Sequence, residues 1–509
     1  MSDYKVDGYA ATLEQVAIIE AAMSGKSFAV PAFAGTSKTA TLNAIAQHQP
    51  FKKILYLAFN KAIAQEAQAL FPNWVECRTA HSLAYRYVVQ PSQAMLQKLR
   101  AGGGFIHFQD IEAYAEKTAN WPTFGRSRFQ INLAISETLS GFCNSADSEP
   151  DVSHAPESLQ EWLRTLKPHE QSAFLTPLIA SVRALAQAMF DEDHPCAITH
   201  DGYLKLFQLR RPQLNYQLLF LDEAQDTNQV LKALLTQQQA QKIWVGDQHQ
   251  QIYTWRKASA SLLGEPKQHY PLTQSFRFGQ HIAKLANLLL QQTGEQRELK
   301  GLSQDYPVNT HFDPYAAYTV LCRTNAKVFE VAEFCIERKI TFEINGGLDQ
   351  VAKLIESAFA LYQGKLQQVK VTDLAIFTSW QEFTQVAEEA QKNEWKNIIK
   401  FVETHREQTL ARIARLHQHC ASGSRQASQV FISTVHKAKG LGFEQVLLAS
   451  DFEAPEVDAL DYQEQLNVLY VAITRAKKVL KLPKALNQFF AKLAEQQATQ
   501  PKSRSKKLA

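Results

Sequence analysis

Cysteine is scarce and nowhere paired. The 509-residue chain has six, at Cys77, Cys143, Cys196, Cys322, Cys335 and Cys420, and none forms a C-x-x-C pair. That spacing excludes zinc ribbons and cysteine-held clusters and fits free thiols in a reducing compartment. His417-Gln418-His419-Cys420 has no further ligand pair at zinc spacing and reads as an exposed helix end. The polar N-terminus has no signal peptide, and no run of about 18 apolar residues marks a membrane span. No charge of one sign dominates either. The net charge of +4 is too small to mark a nucleic-acid binder, so any basic groove must come from local patterning. There is no internal repeat.

What is present is an ordinary globular composition, 45% hydrophobic and 20% charged, in a chain long enough for several domains. Apolar strand-like runs alternate with helical stretches at both ends. The first set is Ser27–Val30, Ile54–Phe59, Leu218–Leu221 and Ile243–Val245. The second is Thr319–Cys322, Val430–Thr434, Val446–Ala449 and Val479–Leu482. Such alternation predicts an α/β fold with parallel sheets. Two stretches break the pattern with helical periodicity, one from Pro91 to about His200 with a Gly102-Gly103-Gly104 break, the other from about Gly347 to Arg425. Both read as helical insertions. The expected domains are therefore 1–90 with 200–274, carrying insertion 91–199, and 275–346 with 426–488, carrying insertion 347–425. Residues 489–509, ending in Lys502-Ser503-Arg504-Ser505-Lys506-Lys507, read as a disordered basic tail.

Two motifs carry chemistry. Ala32-Phe33-Ala34-Gly35-Thr36-Ser37-Lys38-Thr39 follows a short buried strand and opens a helix over Thr39–Ala46. It matches a phosphate-binding loop, in which backbone N–H groups cradle phosphate, a Lys reaches the β/γ-phosphates and a Thr hydroxyl ligates Mg²⁺. Ala32 and Ser37 stand where the usual pattern has Gly. Far downstream, Leu218-Leu219-Phe220-Leu221-Asp222-Glu223 is an apolar strand ending in two carboxylates, the arrangement that holds Mg²⁺ and positions an attacking water. Together they imply nucleotide hydrolysis.

Further segments fall in a fixed order around these two. They are Thr12-Leu13-Glu14-Gln15, Leu57-Ala58-Phe59-Asn60-Lys61 and Thr79-Ala80-His81-Ser82, then Val245-Gly246-Asp247 running on through Gln250 to Tyr253-Thr254-Trp255-Arg256. Next come Ser275-Phe276-Arg277-Phe278, Cys322-Arg323-Thr324-Asn325-Ala326, Thr434-Val435-His436-Lys437-Ala438-Lys439-Gly440-Leu441 and Leu469-Tyr470-Val471-Ala472-Ile473-Thr474-Arg475-Ala476. The ordered set resembles the UvrD-like superfamily 1 DNA helicases of the 3′-to-5′ branch, nearest to the F-box DNA helicase type without its F-box part. The likeness runs from about residue 11 to 485.

The resemblance implies two RecA-like domains with ATP between them. Gln15 would read the adenine and Phe276 would stack on it. Ala34, Gly35, Thr36, Ser37, Lys38 and Thr39 would cradle the phosphates, with Thr39 and Asp222 on Mg²⁺. Glu223 would activate water. Gln250, Arg277 and Arg475 would contact the γ-phosphate, the two arginines from the second domain. Phe59, Lys61, His81, Tyr253, Trp255, Arg256 and His436 would contact single-stranded DNA, for which stacking gives a sequence-tolerant grip. Lys437 and Lys439 would touch phosphate.

The implied activity is an ATP-dependent 3′-to-5′ translocase and helicase on single strands and single-strand/duplex junctions, in repair, recombination or replication. It would be a monomer with no membrane partner, cytoplasmic, and nucleoid-associated or nuclear according to host. One alternative is a translocase that strips a recombinase or other protein from the strand. A third reading, a degenerate ATPase that only binds DNA, is favoured by Ser37 and by Gly442, which stands where the family commonly has Glu. Intact Lys38, Glu223, Gln250 and Arg475 weigh against it. Glu464-Gln465-Leu466-Asn467 also lacks the family's paired Arg, and insertion 347–425 is shorter than that of UvrD itself.

Overall fold

The structure is a computed structural model. It describes residues 4–499 apart from 51, 107, 116–120, 253–260, 376, 390–392, 421–427 and 460. Two five-stranded parallel sheets organise it. The first contains β1 (Phe28–Pro31), β2 (Ile54–Ala58), β3 (Val75–Thr79), β4 (Leu218–Leu221) and β5 (Gln241–Gly246), in the order β1-β5-β4-β2-β3. A further strand, β6 (Gln274–Gly279), pairs with Lys300–Leu302. The second sheet contains β7 (Tyr318–Cys322), β8 (Phe342–Ile344), β9 (Val430–Thr434), β10 (Phe443–Leu448) and β11 (Ala476–Lys481), in the order β8-β9-β7-β10-β11.

Both sheets are covered on both faces, as parallel sheets require. In β2, Ile54, Tyr56 and Ala58 enter one core with Ile18, Leu42 and Ile45, while Leu55 and Leu57 enter another with the first insertion's Leu139, Phe142 and Leu185. The period of two along the strand divides each apolar run between the two layers. In the second sheet, Leu321, Val446 and Leu448 face one core, and Val320, Cys322 and Ile432 face the other.

Both expected insertions are helical. Between β3 and β4 lie helices that include Gln93–Gly102, Arg128–Cys143 and Pro168–Phe190, and between β8 and β9 lie Asp349–Tyr362, Trp380–Glu389, Asn393–His405 and Thr409–His419. Helix Gln93–Gly102 ends at the glycine run. Gly104, at φ +89°, lies where a Cβ would strike the His200 ring at 2.3 Å. Phe129 of the first insertion packs on Phe377 of the second at 4.8 Å between ring centroids. By length and composition Pro168–Phe190 could cross a membrane, but its Phe174, Leu178, Val182, Leu185 and Met189 are buried in the core of the first sheet's insertion.

The strand list and the tail are corrected. Strands β3, β6 and β8 add to the runs picked out from sequence. Helix Lys484–Thr499 occupies the start of the supposed disordered tail, because Leu486, Phe490 and Leu493, at helical spacing, are buried against the second core. Residues 500–509 lie outside the described residues.

Candidate nucleotide cleft and nucleic-acid face

The phosphate-loop segment joins β1 to helix Lys38–Gln47 at the carboxyl end of the first sheet, where open α/β sheets bind ligands. Two left-handed residues shape it, Gly35 at φ +76° and Ser37 at φ +57°. Gly35 is there for space as well as for conformation. A Cβ on it would meet Ser275 Oγ at 2.5 Å and Arg277 Cβ at 2.7 Å. The Phe276 N–H donates to Gly35 O at 2.8 Å, so β6 lies directly on the loop. Ser37 forms no side-chain cap, which leaves the helix's first N–H groups directed into the cleft for an anion.

Facing the loop, the Thr39 hydroxyl donates to Asp222 Oδ2 at 2.9 Å, and the Tyr56 hydroxyl donates to the same oxygen at 2.7 Å. A hydroxyl and a carboxylate held together form an oxygen donor set that suits Mg²⁺. Burial, then the adjacent Glu223, pushes the Asp222 carboxyl up. A divalent cation is the partner that would keep it ionised. Glu223 sits at φ +52° with Lys38 Nζ 3.9 Å from its Oε1, and its Oε2 accepts from Gln225 Nε2. Burial pushes this carboxyl up too, but Lys38, Lys439, the Gln225 amide and Arg475 together outweigh it and hold it at about 2. Glu223 is therefore ionised at neutral pH, ready to orient a water.

The opposite wall comes from the second core. Arg475 is 1% exposed. Its guanidinium donates to Val471 O at 3.0 Å, Leu441 O at 3.1 Å, Thr474 Oγ1 at 3.3 Å and, across the cleft, Gln250 Oε1 at 3.2 Å. Burial and the neighbouring Arg277 push it down to about 9, still cationic at neutral pH. Arg277 donates to Thr474 O at 3.3 Å. Gly442 lies beside it, its Cβ position 3.3 Å from Lys477 Cε and 3.5 Å from Arg277 Nε. The cleft thus has one wall without a side chain at the place where the family commonly has Glu. Phe276 is 43% exposed, an open ring at the edge of the loop.

Other residues fall differently from the sequence reading. Gln15 is 3% exposed and its amide is already engaged: Oε1 accepts from Thr12 N at 3.0 Å, capping helix Leu13–Met23, and Nε2 donates to Thr41 Oγ1 at 3.4 Å. The structure places it as a helix cap rather than open to a base edge. Lys439 does not point to a phosphate site. It makes an ion pair with buried Asp226 of the first core and donates to Gln250 O at 2.6 Å. Burial pushes Asp226 up to about 6 against the pull of Lys439.

Phe59 and His81 line a cavity of about 620 Å³ that reaches Asp222, Glu223 and Asp226. His81 Nε2 is 3.1 Å from Asp201, in helix His200–Leu209 of the first domain. Lys61 is exposed at the start of helix Lys61–Leu70. His436 is half-buried, and burial followed by Arg323 lowers it to about 4, so it is neutral at physiological pH. Tyr253, Trp255 and Arg256 lie outside the described residues.

Sequence reading missed Tyr56, Gln225, Asp226, Asp247 and Tyr470. Asp247 Oδ2 accepts from Gln250 Nε2 at 2.8 Å, and its N–H donates to Gln225 Oε1 at 2.9 Å. Tyr470 is 1% exposed, and its hydroxyl donates to Asp247 Oδ2 at 3.1 Å and accepts from Ala34 N at 3.0 Å. Asn467, in the segment that lacks the family's paired Arg, donates to Gln251 O at 2.9 Å. Asp247 and Tyr470 stand in quoted motifs without an assigned role, and Tyr56 is a polar-tipped residue inside the apolar run Ile54–Ala58.

Comparison with known proteins agrees with this arrangement. Residues 12–271 match the UvrD/REP helicase N-terminal domain and residues 348–487 the UvrD-like helicase C-terminal domain. The chain is 32% identical over 511 residues to F-box DNA helicase 1 of Gallus gallus, covering 92% of this chain and 48% of that protein. It is 30% identical over 522 residues to F-box DNA helicase protein 1 of Schizosaccharomyces pombe, covering 94% and 58%. Against ATP-dependent DNA helicase Rep of Escherichia coli it is 31% identical over 175 residues, 27% of this chain and 26% of Rep. The chain therefore spans about half the length of the F-box relatives. Two parallel-sheet cores, a glycine-pinched phosphate loop, paired carboxylates and arginines supplied across the cleft, together with these matches, place the chain in the UvrD-like DNA helicase family.

Proposed function

We propose that this chain is a single-stranded-DNA-stimulated ATPase that moves 3′ to 5′ along the strand and separates duplex ahead of it. The observation that carries the reading is Arg475 of the second core hydrogen-bonded to Gln250 of the first within reach of Glu223. Phosphoryl transfer needs charge stabilisation and positioning more than covalent chemistry. Lys38 and Thr39 bind the triphosphate, and Thr39 with Asp222 would hold Mg²⁺, which would neutralise phosphate charge. Glu223 orients the water. Gln250, Arg277 and Arg475 complete the charge clamp only when the two cores close. Hydrolysis gated by closure is how a chemical step becomes movement.

The proposed domains are 1–90 with 200–274 around insertion 91–199, and 275–346 with 426–488 around insertion 347–425, the second extended by helix Lys484–Thr499. Phe59, Lys61, His81 and His436 contact the strand, and the family resemblance adds Tyr253, Trp255 and Arg256, which lie outside the described residues. The chain acts as a monomer in the cytoplasm, or in the nucleus of a eukaryotic host, in repair, recombination or replication. A protein bound to the strand, such as a recombinase, is a second target of the same motor. The test is strand displacement on duplexes with a 3′ or a 5′ single-stranded tail. The 3′-tailed duplex should be opened faster, and equal rates or a 5′ preference would overturn the assigned direction.

A further inference from the structure

Tyr470 lies in the second core, yet its hydroxyl is wholly committed to the first. It accepts the Ala34 N–H of the phosphate loop and donates to Asp247 Oδ2. Asp247 branches in two directions. Through Gln250 it reaches the Arg475 guanidinium, and through Gln225 it reaches the Glu223 carboxylate. Gly246 makes the second branch possible, since a Cβ there would meet Gln225 Oε1 at 2.4 Å. One hydroxyl therefore ties three parts of the site together: the loop that cradles phosphate, the residue that orients water and the residue that meets Arg475.

The surroundings favour a fixed strut over incidental packing. Phe33 and Ala34 sit in the apolar cluster of the second core, together with Ile252 and Tyr470. His249, two residues from Asp247, donates its backbone N–H to Asp247 Oδ1 at 3.1 Å and stacks edge-on against the Tyr470 ring. The far side of His249 is held by Glu295, 3.1 Å from its Nε2, and Glu295 is bound by Arg297, which also donates to Pro31 O at 2.9 Å just before the loop. Burial and Asp247 keep the Tyr470 phenol protonated, so the direction of both hydrogen bonds is set.

Resting on the ATPase reading above, we infer that Tyr470 is a positioning residue that makes hydrolysis depend on contact between the two cores. Its hydroxyl holds Asp247, and through it Gln225 and Gln250, in the arrangement that serves Glu223 and Arg475. When the cores separate, Asp247 loses that donor and the Ala34 N–H is released. The strut is distinct from the arginine clamp because it touches no substrate. It sets where the clamp's first-core partners stand.

The test is Tyr470→Phe, which keeps the ring and removes only the oxygen. The hydroxyl's two partners are left short of a hydrogen bond in a buried site, so DNA-stimulated kcat should fall about tenfold to a hundredfold. The KM for ATP should stay within about threefold, the split expected when an interaction acts on turnover rather than on ground-state binding. Combining Tyr470→Phe with Gln250→Ala should lower kcat little beyond Gln250→Ala alone, because both act through one network. A Tyr470→Phe protein with parental kcat, or with losses that multiply in the double variant, overturns the inference while leaving the ATPase reading intact. A parental chain whose ATP turnover does not respond to single-stranded DNA overturns both.

Discussion

Replacing Arg475 separates the chemistry of the cleft from its folding, provided the right substitution is chosen. Arg475→Ala would take a donor from Leu441 O and from the amide oxygen of Gln250 in a site only 1% exposed, while Val471 O would keep the Thr474 hydroxyl. Each orphaned buried acceptor costs about 1–3 kcal/mol, so the sum is a large share of a domain's stability. A loss of activity in that variant would be uninformative. Arg475→Lys keeps the cation but cannot span acceptors on both sides of the cleft with a planar fork. Part of the lost hydrogen bonding is recovered by the ammonium, and the melting temperature should fall by only a few degrees, on the order of 1 kcal/mol. The charge clamp, by contrast, is broken, and arginines in such positions are worth about 10³–10⁵ in turnover, or roughly 4–7 kcal/mol of barrier. DNA-stimulated phosphate release, melting temperature and equilibrium binding to a single-stranded oligonucleotide are measured on one preparation. Folded protein that binds DNA but loses at least about a thousandfold in stimulated turnover is the expected outcome. Parental stimulation in Arg475→Lys would refute the cross-cleft role.

Glu223→Gln should lower turnover by about 10²–10⁴ while changing ATP affinity little, because a carboxylate held at about 2 serves as the ionised water-orienting group. Single-turnover hydrolysis with separate binding titrations checks this, and an unchanged rate would remove Glu223 from the site. Acid stability should report His436. Its folded value of about 4 lies below the ordinary 6.5, so the unfolded chain binds the extra proton. The stabilising contribution is complete above about pH 6.5 and is lost as pH falls toward 4, up to about 3 kcal/mol. Urea unfolding between pH 4 and 7 should show a shallower acid loss for His436→Gln than for the parent, and identical slopes would contradict the burial of a neutral imidazole.

The parts of this molecule legible in the sequence were those with strong local signatures. Strands β1, β2, β4 and β5 are apolar runs, and the loop, the Asp222-Glu223 pair and the second-core arginines stand in motifs. Strand β3 escaped because it is an edge strand with Glu76, Cys77 and Arg78 at its centre, and β8 because it has only three residues. Helix Lys484–Thr499 could have been found from Leu486, Phe490 and Leu493, but the basic residues beyond it drew the tail boundary too early. The network around Asp247 was illegible for a different reason. Its members are polar residues whose partners lie as far as 436 positions away, as for Ala34 and Tyr470, and no periodicity or spacing encodes such a pair. The bonds of Gln15 to Thr12 and Thr41 were illegible too, because a capping residue and a base-reading residue have the same side chain.

The measurement closest to the central claim is the initial rate of ATP hydrolysis by the unmodified chain, with and without a single-stranded oligonucleotide, at saturating ATP and Mg²⁺. Arg475 and Tyr470 reach the first core's machinery only across the cleft, so a strand that draws the cores together should raise the rate by an order of magnitude or more. Equal rates, in protein shown by separate titration to bind both ATP and the oligonucleotide, would contradict it.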